Sequence, residues 1–171
     1  MNPNQILMAV RKILDQKELI SENATVNYRD AFSQIRDQME RCGSAGDWMA
    51  LYRKLVYWEL ELDETDHPLK ELLVAQKREA NHAFGKFIRR NYERWMIDPA
   101  DRPLISPALF ERFLFPMLNN GEKLFFILID NFRLDQWLAV KDVISEYFSC
   151  HEELYCSILP TATPYARNAT F

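Results

Sequence analysis

Two segments near the end of the sequence each place a reactive side chain directly after an apolar run. In FFILIDNFRLDQW (residues 125–137), Asp130 is the first polar residue after the apolar run 124–129. In ILPTATPYARN (158–168), Thr163 follows the next apolar run. In open α/β sheets, ligands bind beyond the carboxyl ends of the strands. The pattern therefore predicts a carboxylate and a hydroxyl group side by side above one edge of a sheet.

This pair of side chains would suit metal-assisted nucleophilic chemistry. The carboxylate of Asp130 is a hard oxygen ligand for a divalent cation. The hydroxyl of Thr163 is a weak nucleophile until a metal or a base lowers its pKa, and Pro160 and Pro164 restrict the backbone on either side of it. The same spacing also fits a turn or helix cap at Asp130 and an ordinary turn residue at Thr163. For Thr163, spacing alone favours the ordinary role.

Other polar residues near these segments have possible roles in binding. The planar guanidinium of Arg167 could clamp a phosphate group, and the amide of Asn168 could donate to an oxyanion. The alternatives are a surface ion pair for Arg167 and a turn for Asn168. Cys150, His151 and Cys156 are soft-metal ligand types, but their spacing matches neither a zinc finger nor a zinc ribbon.

One stretch upstream mixes basic and aromatic residues, namely Arg89, Arg90, Tyr92, Arg94 and Trp95. Such a mixture can bind single-stranded nucleic acid, which would require the three arginines to share one exposed face. The alternative is a helix with one solvated and one buried face. The net charge of −4 favours this alternative.

The first two thirds of the sequence have a helical period. Apolar residues recur at spacings of three and four in four stretches, which predicts helices that each bury one face. Gly43 is expected to end the second helix, Asp47 to cap the third, and the proline-rich residues 98–107 to form a linker. The four stripes are Ile6, Leu7, Val10, Ile13 and Leu14; Tyr28, Phe32, Ile35 and Met39; Trp48, Leu51, Tyr52, Leu55, Val56 and Leu62; and Leu69, Leu72, Leu73, Gln76, Ala80, Phe84, Phe87, Ile88 and Trp95.

The period changes after residue 119. Apolar runs at 124–129 and 154–159 flank an amphipathic stretch at 134–147, which predicts a strand, a helix and a second strand. Two parallel strands leave both faces and both edges open, so we expect them to pack on the helices or to pair with a second copy. The predicted fold class is mainly α, a helical bundle followed by a truncated α/β (single βαβ) unit.

The composition limits the class of protein. The 171 residues are 48% hydrophobic and 27% charged, which suffices for one sizeable core or two small ones. No apolar run approaches the roughly 20 residues of a membrane span, and the N-terminus has no signal-peptide pattern. Three cysteines without CxxC spacing suit a reducing compartment. These features predict a cytoplasmic protein without membrane insertion.

The motifs LIDNFRLDQW (128–137) and LPTATPYARN (159–168) together resemble the opening of the PglZ domain, a branch of the alkaline phosphatase superfamily. PTATP is also similar to the nucleophile loop of nucleotide pyrophosphatases/phosphodiesterases. The resemblance implies that Asp130 is a zinc ligand and that Thr163 is both the nucleophile and a zinc ligand. It also implies that Arg167 contacts the phosphate and that the complete protein holds two zinc ions. Together with Asn168, which is a candidate by its residue type, Arg167 forms the predicted substrate-binding pair.

The upstream sequence NPNQILMAVRKIL (2–14) resembles the last helix of a CheY-like receiver domain. A receiver, a helical connector and a PglZ domain in this order is the architecture of PorX-type response regulators. The resemblance implies three parts, namely the end of a receiver at 1–20, a connector at 21–118 and the start of a PglZ domain at 119–171.

The resemblance also implies a function. The parent would be a cytoplasmic two-component response regulator that controls type IX secretion through a zinc-dependent phosphodiesterase or phosphatase domain. Its partners would be a sensor histidine kinase, secretion-system components, a second copy of itself, and a phosphate-ester or oligonucleotide substrate. The receiver's phospho-accepting Asp and the remaining zinc ligands are absent from these residues. We therefore expect a fragment that couples the two domains, has no complete active site and binds no zinc on its own.

The alternative is an all-α module for protein–protein interaction, without enzymatic activity. The position of Asp130 relative to Thr163 distinguishes the two hypotheses. The enzyme hypothesis requires both side chains at the same end of two adjacent parallel strands, near enough to share a metal ion.

Overall fold

The computed structural model describes residues 28–63, 69–100 and 102–171. The predicted receiver helix within residues 1–20 lies outside them. The chain divides into two compact units. The first contains the described residues of Met1–Gly43 and of Ala50–Gly85, and the second contains Ser44–Met49 and the described residues of Lys86–Phe171.

Three helices account for most of the residues before position 98. The described part of α1 covers residues 28–41 and stops just before Gly43, as predicted. Helix α2 spans Ala45–Asp63, and helix α3 spans Lys70–Ile97. No helix among the described residues is long and apolar enough to cross a membrane.

The core of the first unit is built from the predicted helical stripes. Tyr28 is fully buried, and its ring centroid lies 5.2 Å from that of Trp58 and 6.3 Å from that of Phe32. Two stripe residues are exposed instead, Tyr52 by 46% and Leu72 by 38%. Each is next in sequence to a buried residue, Leu51 before Tyr52 and Leu73 after Leu72, and successive residues point about 100° apart around a helix. The other buried residues of this unit are Ile35, Met39, Leu51, Leu55, Val56, Leu62, Leu73, Gln76 and Ala80.

The N-terminus of α2 corrects one prediction, because its cap is Ser44 and not Asp47. The Oγ of Ser44 accepts the backbone N–H of Asp47 at 3.2 Å. In return, the carboxylate of Asp47 accepts the backbone N–H of Ser44 at 2.8 Å. This reciprocal pair is a capping box, which places the carboxylate at the third helical position rather than at the cap.

The second unit contains shorter elements. Its longest complete helix, α5, spans Leu134–Ser145 and lies within the stretch predicted to be helical. Gly121, which follows the short helix at Phe115–Asn119, has a φ of +76°, a conformation that glycine adopts without steric cost. The remaining elements are a 3₁₀ turn at Ser106–Ala108, a π-helical turn at Phe110–Leu114, α4 at Phe115–Asn119, α6 at Thr163–Ala166 and a 3₁₀ turn at Asn168–Thr170.

The predicted βαβ unit is wrong, although the chain is mainly α as predicted. Among the described residues, the run 124–129 forms no strand. The run 154–159 forms a parallel bridge from Cys156 to Ile105, within the predicted linker. The N–H of Cys156 donates to the carbonyl of Leu104 at 2.9 Å. The second run thus donates to a backbone acceptor on this segment rather than to one on residues 124–129.

Aromatic side chains hold the second unit together locally. The ring of Phe110 meets those of Phe126 and Phe171 edge to face, with centroids 5.0 and 5.4 Å apart. Edge-to-face pairs at these distances stabilise beyond the area that they bury. Along the helices, Phe87 stands between Trp48 and Trp95, at 6.0 and 5.7 Å.

Candidate functional site

The structure brings together the two residues at the centre of the predicted site. The hydroxyl of Thr163 lies 3.4 Å from each carboxylate oxygen of Asp130, although 33 residues separate them in the chain. A strong O–H···O hydrogen bond is about 2.7 Å long, so this contact is loose. The carboxylate is exposed and the threonine half-buried, so both are open to a ligand.

A tight turn sets the position of Asp130. Asn131 has a φ of +55°, in the left-handed region that asparagine tolerates better than most residues. Its N–H donates to Oδ1 of Asp130 at 3.0 Å. Helix α5 then begins after Arg133, whose N–H donates to the side chain of Gln136 at 3.0 Å. The carboxylate is thus fixed between the exposed run 124–129 and a capped helix.

Thr163 is the first residue of the short helix α6. Ala162 before it has an extended backbone, and Pro164 occupies the first turn, where its missing N–H leaves no donor unpaired. The carbonyl of Thr163 accepts the N–H of Arg167 at 3.1 Å. The helical turn therefore directs the main chain away from the hydroxyl.

Arg167 and Asn168 follow Thr163 by one helical turn, and both are exposed. Residues four apart on a helix lie on the same face, so Arg167 is within reach of a group bound at Thr163. Asn168 begins the last 3₁₀ turn. The contact of either residue with substrate stays a prediction.

A salt bridge lies close to the site. The guanidinium of Arg133 contacts both carboxylate oxygens of Asp135, at 2.9 and 2.5 Å. Its hydrogen bond lowers the pKa of Asp135, which lies in the first turn of α5. The pair stabilises the start of the helix that follows Asp130.

The spacing of Asp130 and Thr163 fits two ligands of one metal ion. Two oxygen ligands about 2.1 Å from a tetrahedral zinc ion lie about 3.4 Å from each other. Among the described residues, no three His, Cys, Asp or Glu side chains gather as a metal site. A catalytic zinc ion needs about three protein ligands. The pair therefore supplies part of a coordination shell and needs further ligands.

The alternative of an interaction module without catalysis places no requirement on this geometry, whereas the enzyme hypothesis does. The two side chains are near enough to share a cation, as the enzyme hypothesis requires. The adjacent parallel strands that it also required are not formed among the described residues. The proximity comes instead from the turn at Asp130 and from helix α6.

Sequence reasoning missed two residues that hold the segment before Thr163. The N–H of Leu159 donates to the hydroxyl of Tyr92 at 2.7 Å. The N–H of Ile158 donates to the Oγ of Ser106 at 3.3 Å. These contacts join positions 67 and 52 residues apart, and no local pattern signals them.

The basic stretch on α3 has one of the two properties that binding to single-stranded nucleic acid needs. Arg89, Arg90 and Arg94 are all exposed and span an arc of about 140° on the helix. The aromatic residues between them are engaged elsewhere, because Trp95 is only 3% exposed and Tyr92 binds Leu159. The electrostatic component is present, and the stacking platform is not formed by these two rings.

Comparison with known proteins adds two findings. Residues 18–96 match the family of the PorX response regulator linker domain. Residues 109–171 match the BREX system PglZ alkaline phosphatase-like domain. No curated protein matches the chain.

Proposed function

We propose that this chain, as part of a PorX-type response regulator that joins a linker domain to a PglZ domain, contributes the nucleophile of a phosphodiesterase or phosphatase. The proposed enzyme depends on zinc. The observation that carries this proposal is the position of the Thr163 hydroxyl, 3.4 Å from both oxygens of Asp130. This distance between the hydroxyl oxygen and the carboxylate oxygens equals that between two oxygen ligands of one tetrahedral zinc ion, which supports a shared metal ion.

The chemistry of the proposed reaction follows from the two side chains. The oxygen of Thr163 attacks the phosphorus of a phosphate ester, and its proton passes to solvent. A new bond forms between this oxygen and phosphorus, while the bond to the leaving group breaks and the leaving alkoxide takes a proton from solvent. Water then attacks the same phosphorus, the bond to the threonine oxygen breaks, and one proton of the water passes to that oxygen, so that the phosphate product and free Thr163 are released. A bound zinc ion would supply the positive charge that lowers the pKa of the hydroxyl.

The surrounding residues have supporting roles in this proposal. Arg167 is placed one turn after the nucleophile, where its fork of donors suits the non-bridging phosphate oxygens. Asn168 would donate to the same group. The missing zinc ligands would come from parts of the regulator outside the described residues, since no three His, Cys, Asp or Glu side chains gather as a metal site among them.

The regulatory part of the proposal rests on the linker match. We propose that a sensor histidine kinase phosphorylates the receiver domain of the regulator in the cytoplasm. The helical linker would pass the change to the PglZ domain, in a homodimer that acts on type IX secretion. The substrate would be a phosphate ester or an oligonucleotide.

The test is hydrolysis of bis(p-nitrophenyl) phosphate and of a short oligonucleotide by a regulator that contains this chain, with added zinc. We expect Thr163→Ala to abolish hydrolysis and Asp130→Asn to reduce it at least a hundredfold, because one removes the nucleophile and the other its anionic neighbour. Thr161→Ala is the matched control, since Thr161 lies in the same loop and is exposed.

The outcome separates the enzyme from a binding module. Loss of hydrolysis in Thr163→Ala with retention in Thr161→Ala supports the proposal. Equal activity in all variants, or zinc-loaded protein that cleaves none of the esters, contradicts it.

A further inference from the structure

We infer that Tyr92 on helix α3 is a positioning residue for the loop that carries Thr163, so that the linker helix controls the reactivity of this threonine. The inference rests on the proposed function for its catalytic part. Its structural part rests on hydrogen bonds within the second unit.

The segment that leads into the loop is held by three backbone donors. The N–H groups of Cys156, Ile158 and Leu159 donate to Leu104, Ser106 and Tyr92 respectively. The last of these bonds is the shortest, at 2.7 Å. It is also the nearest to Thr163, which lies four residues further along.

The other end of the loop is fixed independently. Thr170 is 6% exposed, and its hydroxyl donates to the carbonyl of Ala166 at 3.2 Å. The turn Asn168–Thr170 packs against the turn Ser106–Ala108. The loop that contains Thr163 is therefore fixed at Thr170 on one side and held at Leu159 by Tyr92 on the other.

Of the three acceptors, Tyr92 lies on a long helix, whereas Leu104 and Ser106 do not. Leu104 and Ser106 lie in the connecting segment next to the loop, whereas Tyr92 lies in the last two turns of a helix 28 residues long. Tyr92 also lies within the range that matches the linker domain. A displacement of about 1 Å along this helix would break a bond of this length.

Such a displacement would change the distance between Thr163 and Asp130 at the candidate site. The contact of Thr163 with Asp130 is loose, at 3.4 Å, so the loop position rather than this bond sets the distance between the two. Effective catalysis depends on placement within a fraction of an ångström. Through the hydroxyl of Tyr92, a movement of the linker helix would thus change the position and the reactivity of Thr163.

Amide hydrogen exchange of this chain, without metal or substrate, tests the structural part. Tyr92→Phe removes one oxygen and keeps the ring. We expect exchange at Leu159 to rise about tenfold, as for the loss of one hydrogen bond of ordinary strength, and exchange within 160–163 to rise as well. Tyr147→Phe is the matched control, because it removes a hydroxyl from a side chain that is 76% exposed.

Ser106→Ala provides a second variant, since Ser106 is 1% exposed and alanine fits the same space. It should raise exchange at Ile158 and leave exchange in residues 28–41 unchanged. Unchanged exchange at Leu159 in Tyr92→Phe, or an equal rise in Tyr147→Phe, would overturn the inference.

Steady-state kinetics of the zinc-loaded regulator, with bis(p-nitrophenyl) phosphate, tests the catalytic part. We expect Tyr92→Phe to lower kcat about three- to tenfold and to leave KM within about twofold, because it misplaces the nucleophile without removing a substrate contact. An unchanged kcat beside an inactive Thr163→Ala would overturn the positioning role and leave the proposed function intact. An active Thr163→Ala would refute the proposed function, and with it the catalytic part, even if Leu159 exchange responds.

Discussion

The helical core of the first unit and the run 124–129 of the second differ in how far their apolar residues are buried. In the first unit, Ile35 and Leu51 are each 1% exposed, enclosed by neighbouring helices. In the second, Phe125 is 96% and Ile127 is 78% exposed. A helix buries an apolar stripe on one face, whereas an apolar run of the strand type needs cover on both faces. The first unit finds its cover within the described residues, and the run 124–129 does not.

The hydrogen bonds of Gln76 in the first unit and the candidate site in the second differ in exposure. In the first, Gln76 is 3% exposed, accepts the hydroxyl of Tyr28 at 3.2 Å and donates to the carbonyl of Phe32 at 2.9 Å. In the second, the contact of Thr163 with Asp130 faces solvent. Buried networks specify one packing arrangement, and exposed pairs remain open to ligands. Gln76 thus helps to specify the packing of the first unit, whereas the pair of Asp130 and Thr163 is open to a ligand.

The largest effect is expected from a substitution in the core of the first unit. Leu51→Ala should lower the free energy of unfolding by about 2–5 kcal/mol, through lost burial and the cavity left behind. Leu72→Ala, on the exposed side of α3, should cost less than about 1 kcal/mol. Urea denaturation followed by circular dichroism measures both. In the second unit, Phe125→Ala should lower the free energy of unfolding by less than about 0.5 kcal/mol. A loss equal to that of Leu51→Ala would contradict the difference in burial between the two regions.

The buried polar network should have the next largest effect. Gln76→Leu leaves the hydroxyl of Tyr28 and the carbonyl of Phe32 without this partner, so we expect a loss of about 1–3 kcal/mol. Adding Tyr28→Phe to Gln76→Leu should recover part of that loss, since it removes the stranded hydroxyl. A double variant less stable than the single variant would show that Tyr28 contributes through other contacts.

High pH should destabilise the first unit through ionisation of Tyr28. Burial raises the pKa of Tyr28 to about 12, above a value near 10 in the unfolded chain. The neutral phenol is favoured in the folded state, so its stabilisation is present below pH 10 and lost as the pH rises towards 12. We expect a loss of about 1–2 kcal/mol across this range, measured by urea denaturation at several pH values. Tyr28→Phe should flatten this dependence, and an unchanged slope in the variant would contradict the assignment.

A smaller effect is expected where Glu152 contacts helix α5. The carboxylate of Glu152 accepts the indole N–H of Trp137 at 2.5 Å and lies 3.8 Å from the ammonium of Lys141. Glu152→Ala should therefore cost about 1 kcal/mol. Glu153→Ala should cost less, because its side chain is 54% exposed beside His151. Thermal unfolding, monitored by Trp fluorescence, would contradict this account if the two variants shifted the midpoint equally.

The sequence predicted the helices well because their information is local. Stripes such as Tyr28, Ile35 and Met39 are buried as expected, since period and cap residues act within a few positions. The strands were predicted wrongly because an apolar run does not specify its partner, and Cys156 pairs with Ile105 instead.

The candidate site was predictable in part for a related reason. The approach of Asp130 to Thr163 was expected from their order after two apolar runs, and it is present without the sheet. The hydrogen bond from Leu159 to Tyr92 spans 67 positions and had no signal in the sequence. Residues that react can be recognised by type, whereas residues that hold them in place depend on the fold.

The most direct test of the proposed chemistry is to trap its covalent intermediate. A regulator that contains this chain would be mixed with zinc and a phosphate ester, quenched in acid and digested, and its peptides analysed by mass spectrometry. The account predicts a phosphate ester on Thr163, none on Thr161, and none in the Thr163→Ala variant. Turnover of the ester without any adduct on Thr163, or with an adduct on another residue, would contradict it.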